Sequence, residues 1–118
     1  MNAYEIPSLR FSLPAGGAVK RHRFVAVDAN SNGIQAVADS NIIGASMNQT
    51  EAGQVLEIAD GIVMVEAAKA VTAGKLAYAD ANGKVTDTGT VIAGTVITSA
   101  TAGGLAAVKI NYLKGDAN

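Results

Sequence analysis

Along most of this chain apolar and polar residues alternate in short runs, and clusters of Gly, Asn and Asp stand between the runs. Alternation with a period of two marks a strand with one buried face. Leu9, Phe11 and Leu13 alternate with Arg10 and Ser12. The pattern resumes over residues 23–27 (RFVAV), 34–38, 42–47 (IIGASM), 54–59 (QVLEIA), 62–66 (IVMVE), 75–79 (KLAYA), 85–86, 91–98 and 105–113. Asp60-Gly61 and the DANG of residues 80–83 separate neighbouring runs. Asp-Gly and Asn-Gly supply the positive φ angles of tight turns, so hairpins are predicted at both places. The DANSNG of residues 28–33 reads as another turn. Only residues 65–72 have helical propensity, and they span barely two turns. Together these signals predict an all-β fold, a small β-barrel or sandwich of short antiparallel strands.

The two ends differ. Residues 1–17 read as an extended N-terminal arm, and residues 18–118 as a single β domain. Pro7 and Pro14 hold their neighbours extended. Tyr4, Ile6, Leu9 and Phe11 are apolar groups on a segment too short to build its own core, which suits them to a partner's surface. Gly16-Gly17 reads as a hinge. Inside the domain lies a weak two-fold repeat: Gly33, Gly44 and Gly53 recur as Gly83, Gly94 and Gly103, each 50 residues later. Ile42-x-Gly44 recurs as Ile92-x-Gly94, and Ala52-Gly53 as Ala102-Gly103. Two units are too few for a solenoid, so they are expected to complete one barrel or sandwich.

Composition narrows the class. A chain of 118 residues and 11.9 kDa suits one domain. With 49% hydrophobic residues it is not a disordered tail. A net charge of −1 argues against nucleic-acid binding. No cysteine is present, so disulfides, thiolate metal sites and thiol nucleophiles are excluded. No apolar run reaches membrane-spanning length, and the N-terminus lacks the pattern of a secretory signal. Charged residues make up only 16%, thin for a lone soluble surface, so part of that surface is expected to be covered by a partner.

Candidate chemistry is sparse. Asp28, Asn30, Asn32, Gly33 and Asp39 match the start of a calcium loop. The flanks read as strands rather than helices, however, and Asn, Asp and Gly are also turn residues, so a plain turn is the stronger reading and no metal is expected. Lys69 in EAAKA suggests the modified-lysine hairpin of lipoyl and biotinyl carriers, but Ala68 stands where such domains carry Asp or Met. Lys20, Arg21, His22 and Arg23 form the one basic run, a possible contact for phosphate or an acidic surface. Period-two alternation would put Lys20 and His22 on one face of a strand and Arg21 and Arg23 on the other. No acid or hydroxyl stands at meaningful spacing from His22, no two carboxylates are paired by the sequence, and no Gly-rich phosphate loop occurs. Neither catalytic residues nor a cofactor are expected.

The layout has a familiar order. A P-A-G-G-x-V start is followed by Ile43-Gly44-Ala45, then by residues 71–86 (VTAGKLAYADANGKVT), and then by residues 91–96 (VIAGTV). Over residues 14–113 this resembles the small decoration, or cement, proteins of tailed-bacteriophage heads. Ala73–Tyr78, Asn82–Thr86 and Ile92–Val96 stand in the family's recognisable core. Lys75 departs from the Asp often found there, and the N-terminal arm has no match. The resemblance implies a protein without catalytic residues on the outer surface of the virion capsid. It would be bound to the major capsid protein, stabilise the shell, and be a homotrimer or other homo-oligomer. On that reading Tyr4, Ile6, Leu9 and Phe11 are capsid contacts, with Lys20, Arg21 and Arg23 as a basic contact. Deleting residues 2–13 is expected to leave a folded domain that no longer binds heads. The competing readings are a particle-displayed carbohydrate or small-ligand binding module and, more remotely, a carrier domain modified at Lys69.

Overall fold

The structure, a computed structural model, describes residues 6–110, with the side chains described from Leu9 onward. Nine strands occupy them: β1 (Ile6–Pro14), β2 (Phe24–Val27), β3 (Gly33–Gln35), β4 (Gly44–Ser46), β5 (Val55–Glu66), β6 (Leu76–Ala79), β7 (Val85–Thr86), β8 (Gly94–Val96) and β9 (Leu105–Ile110). All strand pairs are antiparallel, in the order β3-β2-β4-β5-β9-β8-β6-β7, with β1 added to β5. The all-β expectation holds, and the sheet curls into a half-barrel. No helix occurs among the described residues. The segment with helical propensity instead carries two isolated bridges, Ala67 to Val85 and Val71 to Ala100.

The hairpin expected at Asp60-Gly61 does not form. Residues 55–66 run as one twelve-residue strand. Gly61 does take a positive φ of 110°, but Asp60 does not, whereas a two-residue type I′ turn centred on Asp-Gly needs both. The strand therefore continues through the glycine. Its two halves do not pair with each other: residues 55–62 pair with β1, Ala59 and Ile58 also pair with β4, and residues 62–66 pair with β9. Ile62 has Ile6 on one side and Lys109 on the other. Opposite Asp60-Gly61, Ser8 is an extra residue between the paired Pro7 and Leu9, a bulge that accommodates the local bend.

The two halves of the chain make corresponding bridges and backbone hydrogen bonds. In the first unit, Ala15 bridges Gly33 and Val19 bridges Thr50; in the second, Ala67 bridges Val85 and Val71 bridges Ala100. The Ala15 N–H donates to Gln54 O and that of Ala67 to Gly104 O. The same holds for His22 to Ser46 O and Gly74 to Val96 O, both donors lying at positive φ. Thus β1, β2, β3, β4 and the first half of β5 correspond to the second half of β5, β6, β7, β8 and β9. The offset is 52 residues up to the turn after β2 or β6, and 50 from Gly44 and Gly94 onward. Gly33 therefore corresponds to Val85, not Gly83. Gly83 corresponds to Ser31, and both lie at positive φ. The two turns have the same length; the shorter segment of the second unit is the loop before β8. The long strand β5 belongs to both units, ending one and beginning the next.

Each unit contributes a core. Val19, Val25, Leu56, Ile58 and Ala15 form the smaller one, with Phe11, Leu13 and Ile43 half-buried against it. Val63, Val65, Val71, Ala77, Ala106 and Val108 occupy the equivalent positions in the second unit. There they are joined by the outer face of the first unit, Phe24, Ala26, Ala36, Ala45 and Ala59. Leu56 and Ile58 point to the first core and Ala59, Val63 and Val65 to the second, so β5 serves both with opposite faces.

Residues 6–14, expected to stand off as part of an arm, are extended but form a strand of the domain's own sheet. Gly16 is not a hinge: a Cβ there would lie 2.9 Å from Asp28 Oδ2 and 3.0 Å from Ile34 Cγ2.

Candidate functional site

The expected contact residues separate into three groups. Tyr4 lies outside the described residues, and for Ile6 the structure describes only the backbone pairing with Ile62. Leu9 is 56% exposed, whereas Phe11 is half-buried against the first core. Lys20 and Arg21 are exposed. Arg23 is buried and withdrawn from any surface patch.

The strand alternation expected through the basic run fails because β2 begins only at Phe24. A positive φ of 62° at His22 turns the chain before the strand starts, so Arg21 and Arg23 do not share an exposed face. Instead Arg23 reaches across to the second unit, where its Nη2 donates to Glu66 Oε1 at 2.8 Å. Lys84 Nζ lies 3.4 Å from the other carboxylate oxygen. Backbone contacts line the same seam: the Phe24 N–H donates to Gly83 O at 2.8 Å, and the Glu66 N–H to His22 O at 3.0 Å. Sequence reading missed this cluster because its members lie 43 and 18 positions apart in the chain.

The Arg23 hydrogen bond holds the Glu66 carboxyl below its ordinary value of 4.5. Burial opposes the shift, and the charges of Arg23 and Lys84 add to it. A carboxyl with a lowered folded pKa stabilises the fold above its unfolded value, and that contribution is lost as pH falls through the folded value. Stability is therefore expected to decline below pH 4.5. Glu66→Gln should lose about 2 kcal/mol at neutral pH and show a flatter decline on acidification, read from denaturant melts across the acid range. Equal slopes for both proteins would remove Glu66 from the account.

The turn resembling a calcium loop satisfies its own carboxylate. Asp28 Oδ1 accepts from the Asn30 and Asn32 N–H groups, both at 2.9 Å, and Oδ2 from Asn32 Nδ2 at 3.2 Å. The Asn32 backbone bond leads the causes that hold the Asp28 carboxyl low. Asp80 repeats the arrangement, accepting from the Asn82 and Lys84 N–H groups at 2.8 and 2.9 Å. Asp39 Oδ1 accepts from the Thr90 N–H. Among the described residues no group of three His, Asp or Glu side chains comes together. Lys69 does not sit at a hairpin tip. It follows the bridge at Ala67, and its Nζ lies 3.3 Å from Asp87 Oδ1.

The remaining surface features are apolar. Leu9, Val27, Val37 and Val55 are exposed on the first unit and Leu76, Ile92 and Leu105 on the second. Beside Leu76 lies an open hollow of about 400 Å³ lined by Val71, Lys75, Tyr78, Asp87 and Val96. A signal for it was present in KLAYA, where both faces of the strand are apolar, as they are in the RFVAV of β2. A strand of that kind needs cover on both sides.

No curated protein matches the sequence. Among solved structures the head fiber gp8.5 N base of bacteriophage phi29 superposes with a TM-score of 0.72 at 15% identity, over 92% of this chain and 98% of that one. That likeness is one of fold. The sequence profile of the phage cement proteins matches residues 5–111, nearly the whole of both units and the strand they share. By that match the chain belongs to the phage cement protein family.

Proposed function

We propose that this protein binds the outside of an assembled phage head as a homo-oligomer, across seams between major capsid protein subunits, and braces the shell without catalysing a reaction. The family match over residues 5–111 carries the reading. A capsid exterior role also suits a chain with few charges, a seam locked by an internal ion cluster and exposed apolar positions on both units. Tyr4, Ile6 and Leu9 remain the proposed capsid anchors, with exposed Lys20 and Arg21 as a basic contact. Phe11 and Arg23 serve the fold first. Many copies on one lattice turn a modest contact into a large collective stabilisation.

The test is quantitative mass spectrometry of purified particles, with thermal rupture of the heads as a second readout. A copy number comparable to that of the major capsid protein is expected, and heads lacking the protein should open at lower temperature. Leu9→Ser combined with Arg21→Glu should reduce occupancy while the free protein melts within a few degrees of the parent. Absence from particles, or only a few copies per head, would overturn the proposal.

A further inference from the structure

We infer that the outer face of the second unit, centred on Leu76, Tyr78 and Ile92, is covered by the first unit of another copy of this chain. The contact would be head-to-tail and repeat the seam already present inside each molecule. This deepens the homo-oligomer part of the proposed function and rests on it.

The argument comes from the repeat. The two units make nearly the same internal bridges and backbone hydrogen bonds. They differ in what covers them. Phe24 of the first unit is 0% exposed because it packs into the core of the second. Its counterpart Leu76 is 46% exposed. Ile42 packs against the same core, and its counterpart Ile92 is exposed. The hollow beside Leu76 corresponds to the place in the first unit where Glu66 and Lys84 of the second unit meet Arg23 and where Phe24 meets Gly83.

The other end is open in the opposite sense. Val63 and Val65 are fully buried under the first unit, while their counterparts Phe11 and Leu13 are half-buried. Ala93 is buried and its counterpart Ile43 is half-buried; Ala79 is 5% exposed and its counterpart Val27 is 45% exposed. Each open surface thus corresponds to one half of the intramolecular seam, and the two halves fit each other. In stacked repeats an uncovered terminal face is filled by a cap or by another unit. Here the terminal faces are apolar rather than polar. A contact of this kind joins two different surfaces, so it builds a ring where the rotation closes.

The seam between copies is the weaker of the two. Pro14 stands where Glu66 does and has no N–H to donate to Gly74 O, and Lys75 and Asn32 replace Arg23 and Lys84. Ser31 stands where Gly83 does. A Cβ at Gly83 would lie 3.1 Å from Ala36 O, so the copies must sit slightly further apart. Copies are therefore expected to exchange in solution, which makes the seam accessible to experiment.

The natural chain has no cysteine, so introduced thiols are unique. Asn32→Cys and Lys75→Cys variants would be prepared separately and treated with a short bismaleimide. Mixed together they should give a covalent two-chain product, while either alone should give little. Leu76→Asp in both variants should abolish the product and leave the thermal melt within a few degrees of the parent. Efficient cross-linking of one variant to itself would mean a contact between like surfaces and overturn the inference. So would a wild-type protein that sediments as a monomer at millimolar concentration, or an oligomer that forms without the mixed product. None of these outcomes bears on whether the protein is found on particles, so this inference and the capsid role fail separately.

Discussion

Deletion of residues 2–13 is expected to unfold the first unit rather than release a passive tail. Strand β1 pairs with β5 from Ile6 opposite Ile62 to Pro14 opposite Val55. Phe11 and Leu13 form one wall of the core that holds Val19, Val25, Leu56 and Ile58. Burial of each such side chain contributes about 1.5–3 kcal/mol, and the whole domain is stable by roughly 5–15 kcal/mol. Loss of both side chains, with the ladder beside them, removes a large share of that total. It also leaves residues 55–62 of β5 with a bare edge, a template for aggregation. The truncated chain should show no cooperative melt by circular dichroism and should elute as aggregate. A synthetic peptide of residues 5–15 added during refolding should restore soluble protein by resupplying the strand. A truncated protein that melts cooperatively near the parent temperature would mean that β1 is dispensable to the fold, as the sequence alone suggests.

The second large effect is expected at Gly94. A Cβ there would collide with the carbonyl oxygen of Lys109 on the neighbouring strand, and no flexible side chain is present to yield. Gly44 is placed in the same way against Ala59 O in the first unit. The requirement is the same in both units: β8 approaches β9, and β4 approaches β5, too closely for any side chain. Gly94→Ala should cost about 3 kcal/mol, and Gly94→Val more, because the ladder must part. For a chain of this length that corresponds to a fall of roughly 12 °C in melting temperature. Gly17→Ala is the control. Nothing lies within 4 Å of a Cβ at Gly17, so that variant should melt within a degree or two of the parent. Equal melting temperatures for the Gly94 and Gly17 variants would refute the close-approach account.

Much of the fold was legible in the chain. Strand alternation located eight of the nine strands, and the period-two run at residues 9–13 marked the ninth, β1. The turn after β6 was correctly placed at DANG, because Asp80 and a glycine at positive φ close it. Asp60-Gly61 was misread because a dipeptide reports local φ preference. Whether the chain reverses depends on the partners waiting on either side, and here β1, β4 and β9 hold both halves of β5 straight. The repeat was visible, but its alignment was off by two residues at the turn. Ser31 adopts the positive φ that Gly83 adopts, and serine carries no signal for it. The basic run misled for a related reason: one positive φ at His22 undid the alternation, and the partner of Arg23 lies on another strand. Contacts between the units depend on how the curled sheet folds over itself, which no local pattern records.

The pairing of Ile62 on both sides has a practical consequence for attaching cargo. Ile6 and Lys109 flank it on neighbouring strands, and strands lie about 4.8 Å apart, so the described chain enters and leaves the fold at points about 10 Å from each other. A fluorophore placed at position 6 or at position 109 would therefore report from the same patch of the molecule. Its spacing on a decorated particle would then be set by the lattice of copies, whichever of the two positions carried it.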